Sequence, residues 1–238
     1  MKRRKILYLA ANPTGTGRLA LKREYQGILH ELERGKYGRR FDLVPCWATP
    51  SELPHELHRH KPSVVHFSGH GYRAGERGLE HGAFHRDVAG DLSAQGTDHG
   101  LIFSSSEGRI RLLSSAALVE TLAVVGSSIQ LVVLNACFTE ELASALLTCV
   151  PCVVGVQGPI HDDAARKFST GLYGGIVAGA SAEEAYRRGR LAIRLAGLEA
   201  DVDRPQLKVR DGVDPDKLVL AADPRTSRGN RPPRRRRR

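Results

Sequence analysis

Two residues of this chain have the types and the flanking sequence to do nucleophilic chemistry together, Cys137 and His70. The stretch IQLVVLNACFTEELASAL, from Ile129 to Leu146, starts as a short apolar run rich in β-branched residues. That is the pattern of a strand buried on both faces. From Phe138 the rhythm turns helical, with Leu142, Leu146 and Leu147 able to share a face. A cysteine at such a junction lies at the carboxyl edge of a parallel sheet, where open α/β folds place ligands. A helix starting just beyond it lends partial positive charge and favours the thiolate. An isolated cysteine, by contrast, is commonly a small buried hydrophobe.

The upstream stretch PSVVHFSGHG, Pro62 to Gly71, changes that weighing. Val64 to Phe67 reads as another buried strand, and Ser68 to Gly71 as a turn holding His70 at its exit. If the two strands are parallel neighbours, His70 and Cys137 meet at one sheet edge. A thiol needs a base or cation beside it to act as a nucleophile at neutral pH, and imidazole has the right pKa. His66, in mid-strand, is the competing histidine and is expected in the core.

The remaining elements must position that pair. Ile6 to Ala11 reads as a first strand, leaving through Asn12 and an ordinary turn at Gly15 and Gly17. No Gly-Lys-Ser/Thr ending makes it a phosphate loop. Arg18 to Arg34 reads as an amphipathic helix and Phe41 to Trp47 as a strand. Thr49 to Glu52 spells a T-x-x-E capping box before a short helix to about His60. Pro54 fits better if that helix starts at Ser51. His55, His58 and His60 along it are read as exposed rather than metal-binding.

Tyr72 to Gly100 is a long polar, glycine-rich stretch and reads as a flap beside the site. A hairpin follows, Leu101 to Ser104 with Arg109 to Leu113, then a helix to Val125 capped by Ser114 or Ser115. Val150 to Gln157 reads as a strand, and Asp162 or Asp163 starts a helix through Val177. Ser181, in an S-x-x-E box, caps another to about Leu198, and Asp216 to Ala221 reads as a last strand.

The motifs HFSGHG and LNACFT resemble those of the CHAT family of bacterial caspase-like proteases, in the wider caspase, separase and gingipain superfamily. The opening KILYLAANPTGTGRLALKREYQGIL and the stretch Asp162 to Arg190 resemble the family too, so the likeness spans roughly residues 4 to 222. It implies a caspase-like α/β fold, a three-layer sandwich with a mostly parallel central sheet and helices on both faces. It implies His70 as catalytic histidine, Cys137 as nucleophile, and the N–H groups of Gly71 and Cys137 as the oxyanion hole. It also implies a dyad with no third acid and a protein substrate. By the same resemblance Asn135, two before the cysteine, and Asn12, after the first strand, lie near the substrate side chain preceding the cut. Neither is charged, so no strong demand for a charged residue is expected. Asp162 and Asp163 could restore a preference for basic residues, though helix capping accounts for one of them more simply.

Composition bounds the rest. At 238 residues with 41% hydrophobic residues, the chain fits one α/β domain, expected over residues 1–222. Of the net charge of +10, eight arginines between Arg225 and Arg238 supply all but +2. Residues 223–238 therefore read as a disordered arginine-rich tail that could touch nucleic acid without sequence preference. It lacks aromatics for base stacking. Cysteines 46, 137, 149 and 152 offer no second pair for a zinc site, so neither metal nor cofactor is expected. With no signal peptide and no membrane span, a cytoplasmic chain with reduced thiols is expected. The reading is a cysteine endopeptidase with a protein substrate and an activating partner protein, in bacterial defence or regulated cell death. The alternatives are a catalytically silent protein-binding module and a nucleic-acid binder.

Overall fold

A computed structural model describes residues 3–13, 16–47, 49–73, 99–105, 107 and 110–222. The arginine tail, most of the flap stretch and Gly15 lie outside the described residues. The core is a six-stranded sheet in the order β2-β1-β3-β7-β8-β9. These strands are β1 (Arg4–Ala10), β2 (Phe41–Cys46), β3 (Val64–Ser68), β7 (Leu131–Asn135), β8 (Cys152–Val156) and β9 (Pro205–Val209). All pairs are parallel except β8 with β9. Because β2 and β3 flank β1 on opposite sides, the strand order reverses there. A crevice for ligands opens at such a switch point, outside the carboxyl ends of the strands.

Strict alternation along the central strands feeds two separate cores. Ile6, Tyr8, Val64, Leu131 and Val133 face one side. Helices α1 (Leu21–Arg34), α5 (Asp162–Ala178) and α6 (Ala182–Leu195) cover them. Leu7, Leu9, Val65, Phe67, Val132 and Leu134 face the other. There α2 (Leu53–His60), α3 (Ser115–Val125) and α4 (Glu140–Leu146) cover them. Each fully buried Leu, Val or Phe contributes about 1.5–3 kcal/mol, so both layers are firmly attached. Among the described residues no helix is long and apolar enough to cross a membrane.

Local chemistry explains most boundaries. Pro45 cannot donate to a sheet ladder, and β2 is an edge strand. Glu52 reaches back to the Thr49 N–H at 2.8 Å, half of the expected capping box. Residues 50–52 only turn, and α2 begins at Leu53 with Pro54 in its first turn. Ser114 and Ser181 cap α3 and α6 by accepting from the N–H groups of Ala117 and Glu184, both at 3.2 Å.

Three expectations are corrected. Residues 216–221 form turns, not a strand; the last strand is β9, whose Pro205 sits at the first position where proline is tolerated. The ends of the 72–100 stretch are not loop. Tyr72 belongs to β4 (Gly71–Arg73) and Gly100 to β5 (His99–Ser104), which with β6 (Ile110–Ser114) form a three-stranded antiparallel sheet. Neither Asp162 nor Asp163 caps α5; the capping position is His161, which makes no side-chain capping bond.

Candidate active site

Strands β3 and β7 are hydrogen-bonded neighbours, and their last residues, Ser68 and Asn135, stand in register. His70 and Cys137 each follow two residues later. The two exits stay in contact beyond the ladder: the Gly69 N–H lies 3.5 Å from the Asn135 carbonyl oxygen. A Cβ at Gly71 would overlap the Cys137 carbonyl oxygen. Only glycine allows that approach, so the residue after His70 lies directly on the backbone of Cys137. The fold thus brings the predicted histidine and cysteine to one place at the sheet edge.

His70 is 8% exposed. Its Nε2 faces two acceptors, the Gly17 carbonyl at 2.8 Å and Asn12 Oδ1 at 3.3 Å. Two acceptors at one ring nitrogen place the proton on Nε2, leaving Nδ1 as the basic nitrogen of the neutral ring. Burial lowers the His70 pKa from its ordinary value; the Gly17 carbonyl and the Asp162 charge partly offset this.

Cys137 is half-buried. Its Sγ accepts the Ile160 N–H at 3.4 Å and its thiol faces the Ile160 carbonyl at 3.8 Å. Burial raises the thiol pKa, and the Ile160 N–H only partly opposes it. The expected helix-assisted thiolate is therefore not the resting form. Helix α4 starts three residues later, at Glu140, and carries Glu140 and Glu141 in its first turn. Those acids offset the N-terminal positive end.

The turn after the cysteine is held under strain. Phe138 has φ +56°, an unusual value for a bulky residue. Its N–H is fixed to the Gly158 carbonyl at 3.0 Å. Buried Thr139 binds the next strand, its Oγ1 accepting the Val156 N–H at 2.9 Å and donating to the Ala136 carbonyl at 2.9 Å. The positive φ redirects the chain sharply just past Cys137.

The structure places the other predicted residues differently from one another. Asn12 touches His70. Asn135 is 6% exposed, with its Nδ2 donating to Glu24 Oε1 at 2.5 Å and to Ser169 Oγ at 3.2 Å. Asp162 accepts the Ala20 N–H at 3.4 Å and pairs with Arg166, as does exposed Asp163. Both aspartates line an open groove of about 520 Å³ together with His161, Glu199 and Asp201. His161 Nδ1 bonds Asp201 at 2.7 Å, and His161 directly follows the residue that holds Sγ.

Sequence reading missed the Gly17 and Ile160 backbone groups, which carry no side-chain signal. It also missed Glu24. This carboxylate is 3% exposed and lies under the two strand exits. A signal existed: Glu24 falls on the buried face of α1, between Leu21 and Ile28. His66 is fully buried as expected, with Nε2 3.1 Å from Glu24 and Nδ1 3.1 Å from the Tyr173 hydroxyl. No group of metal-ligating side chains occurs among the described residues.

The CHAT domain family matches residues 10–206, most of the chain and the whole of this site. The chain belongs to the CHAT-domain family. No curated protein matches it. Among solved structures, this CHAT domain is similar to the pyridoxal kinase of Staphylococcus aureus in complex with pyridoxal. The two share 10% identity over 88% of this chain and 99% of the kinase, with a TM-score of 0.34. The Lactobacillus plantarum pyridoxal kinase is similar at 11% identity over 85% of this chain and 93% of that one, with a TM-score of 0.35. Likenesses this weak say nothing of function.

Proposed function

We propose that this CHAT domain is a caspase-like cysteine endopeptidase working through His70 and Cys137. One observation carries the reading: the two residues leave adjacent, register-matched parallel strands, with His70 Nε2 already bound to a backbone carbonyl. Membership of a caspase-like family adds to it. With burial raising the thiol and lowering the imidazole, the resting pair is neutral. Nδ1 of His70 takes the thiol proton as Sγ attacks the scissile carbonyl, and later returns it to the leaving amine. The tetrahedral oxyanion is received by the N–H groups of Gly71 and Cys137. The thioester then yields to water, which restores the thiol.

Beside the dyad the uncharged Asn12 touches His70, and the groove next to Ile160 carries the acids Asp162, Asp163, Glu199 and Asp201. A basic residue before the cut follows from those acids, while Asn135, buried and donating to Glu24 and Ser169, is turned away from the groove. A role in bacterial defence or regulated cell death, with an activating partner protein in the cytoplasm, belongs to the same proposal.

Profiling the chain against a peptide library tests activity and preference together. Cleavage and labelling by a thiol-directed activity probe should vanish in Cys137→Ala and fall at least a hundredfold in His70→Ala, on the order expected for general acid–base catalysis. Cys149→Ala should keep both. Equal labelling of all variants, with no peptide cut, would leave a protein-binding module as the better account.

A further inference from the structure

The buried Glu24 carboxylate touches the supports of both proposed catalytic residues. Its Oε2 accepts from Ser68 Oγ, at the end of the strand that carries His70. Its Oε1 accepts from Asn135 Nδ2 at 2.5 Å, at the end of the strand that carries Cys137. Ser169 Oγ donates to the same oxygen at 2.7 Å from α5, and His66 Nε2 lies 3.1 Å away. Glu24 sits in the first turn of α1. The Tyr8 hydroxyl bridges that turn, 3.0 Å from the Leu21 carbonyl and 3.1 Å from Glu24 Oε2. The segment leading into that turn carries Gly17, whose carbonyl holds His70 Nε2. One carboxylate therefore joins the histidine strand, the cysteine strand and the helix whose approach orients the imidazole.

A carboxylate suits this place chemically. It is acceptor-only, and its two oxygens offer about four lone-pair sites to donors arriving from different elements. Burial raises its pKa, but His66 and the Ser169 and Ser68 hydroxyls outweigh that and hold the carboxyl below its ordinary value. At neutral pH it is ionised, and bonds to it are the strong, charge-assisted kind. A core that needed only packing would be served as well by leucine, at no desolvation cost.

We propose that Glu24 is the positioning residue of the dyad, a clamp that sets the spacing between the exits of β3 and β7 and the angle of His70. This rests on the peptidase reading, since it assumes that His70 and Cys137 work together. A misplacement near 1 Å can cost about a hundredfold in rate. So Glu24→Gln, which keeps the shape but loses the charge and one acceptor, should lower kcat roughly 10- to 100-fold with KM within about threefold. Ser68→Ala, removing one arm, should lower kcat about threefold to tenfold.

A second readout needs no peptidase activity. The His70 ring, followed by NMR, should titrate below 6.5 in the unmodified chain and lower still in both variants, because the Gly17 carbonyl that favours the charged ring is no longer held on Nε2. Leu57→Ala, on the opposite face of the sheet, should lower the melting temperature while leaving the His70 titration and kcat unchanged. If Glu24→Gln and Ser68→Ala melt earlier yet keep kcat and the His70 titration, Glu24 is only a core residue and the proposal fails. Should Glu24→Gln not fold, Ser68→Ala decides alone. A wild-type chain that cuts no peptide overturns the peptidase reading, and the His70 titration then judges the clamp by itself.

Discussion

The two faces of the central sheet come from alternate residues of the same strands, yet they are built of different matter. On the α2–α3–α4 side Leu7, Leu9, Val65, Phe67, Val132 and Leu134 from the strands make an apolar core. On the α1–α5–α6 side the amino-terminal half is just as apolar, with Ile6, Val64 and Leu131. Toward the carboxyl end it turns polar, through Tyr8, His66, Ser68 and Asn135, gathered around Glu24. The lesson concerns tolerance. A dry face needs volume and shape, and several apolar residues can supply those. A buried polar cluster needs every partner, because one deletion orphans several others.

That contrast can be broken by substitution. Glu24→Ala should cost about 3–5 kcal/mol of stability, since it leaves buried donors without an acceptor, and activity should fall with it. Urea unfolding beside steady-state kinetics measures both. Leu57→Ala on the dry face should cost about 2–5 kcal/mol, with kcat per folded molecule unchanged. Parallel losses of activity in the two variants would erase the distinction between the faces.

Acid sharpens it. The folded-state pKa of both His70 and Glu24 is depressed. Each contributes stability that is full above its ordinary value, 6.5 for the imidazole and 4.5 for the carboxyl, and lost as the pH falls through the lower folded value. The urea midpoint should therefore decline below about pH 6.5 and again below about 4.5. His70→Leu should lose the first decline and Glu24→Leu the second. Cys137 has the opposite sign. Its raised pKa contributes stability below the ordinary 9.0 that is lost as the pH rises through the folded value, and Cys137→Ala should flatten that alkaline limb. The smallest effect sets the scale: Arg187→Ala breaks an exposed pair with Glu183 on α6 and should cost about 0–1 kcal/mol.

Much of this molecule was legible from local pattern. The strands ending at Ser68 and Asn135 announce themselves as buried β-branched runs, and the caps at Ser114 and Ser181 are set by side chains reaching their own helix. β9 escaped because a short edge strand beginning at proline has little pattern of its own. Asp216 to Ala221 misled because a few apolar residues look alike in a turn and a strand. At the site, the residue types at 70 and 137 could be read in advance, because a base and a thiol at two strand exits form a chemical pattern. Their registration, two residues beyond a matched Ser68 and Asn135, could not.

The amino-acid sequence by itself determined an alternating α/β chain and the two side chains able to carry a thiol mechanism, since periodicity and residue type are properties of near neighbours. Only the tertiary structure decided that Gly17, Ile160 and Glu24 surround them, and that the resting thiol is pushed up rather than down. The physical reason is that burial and hydrogen-bond partnership are set by elements far apart in the chain. Glu24 and Asn135 are separated by 111 residues and meet at 2.5 Å.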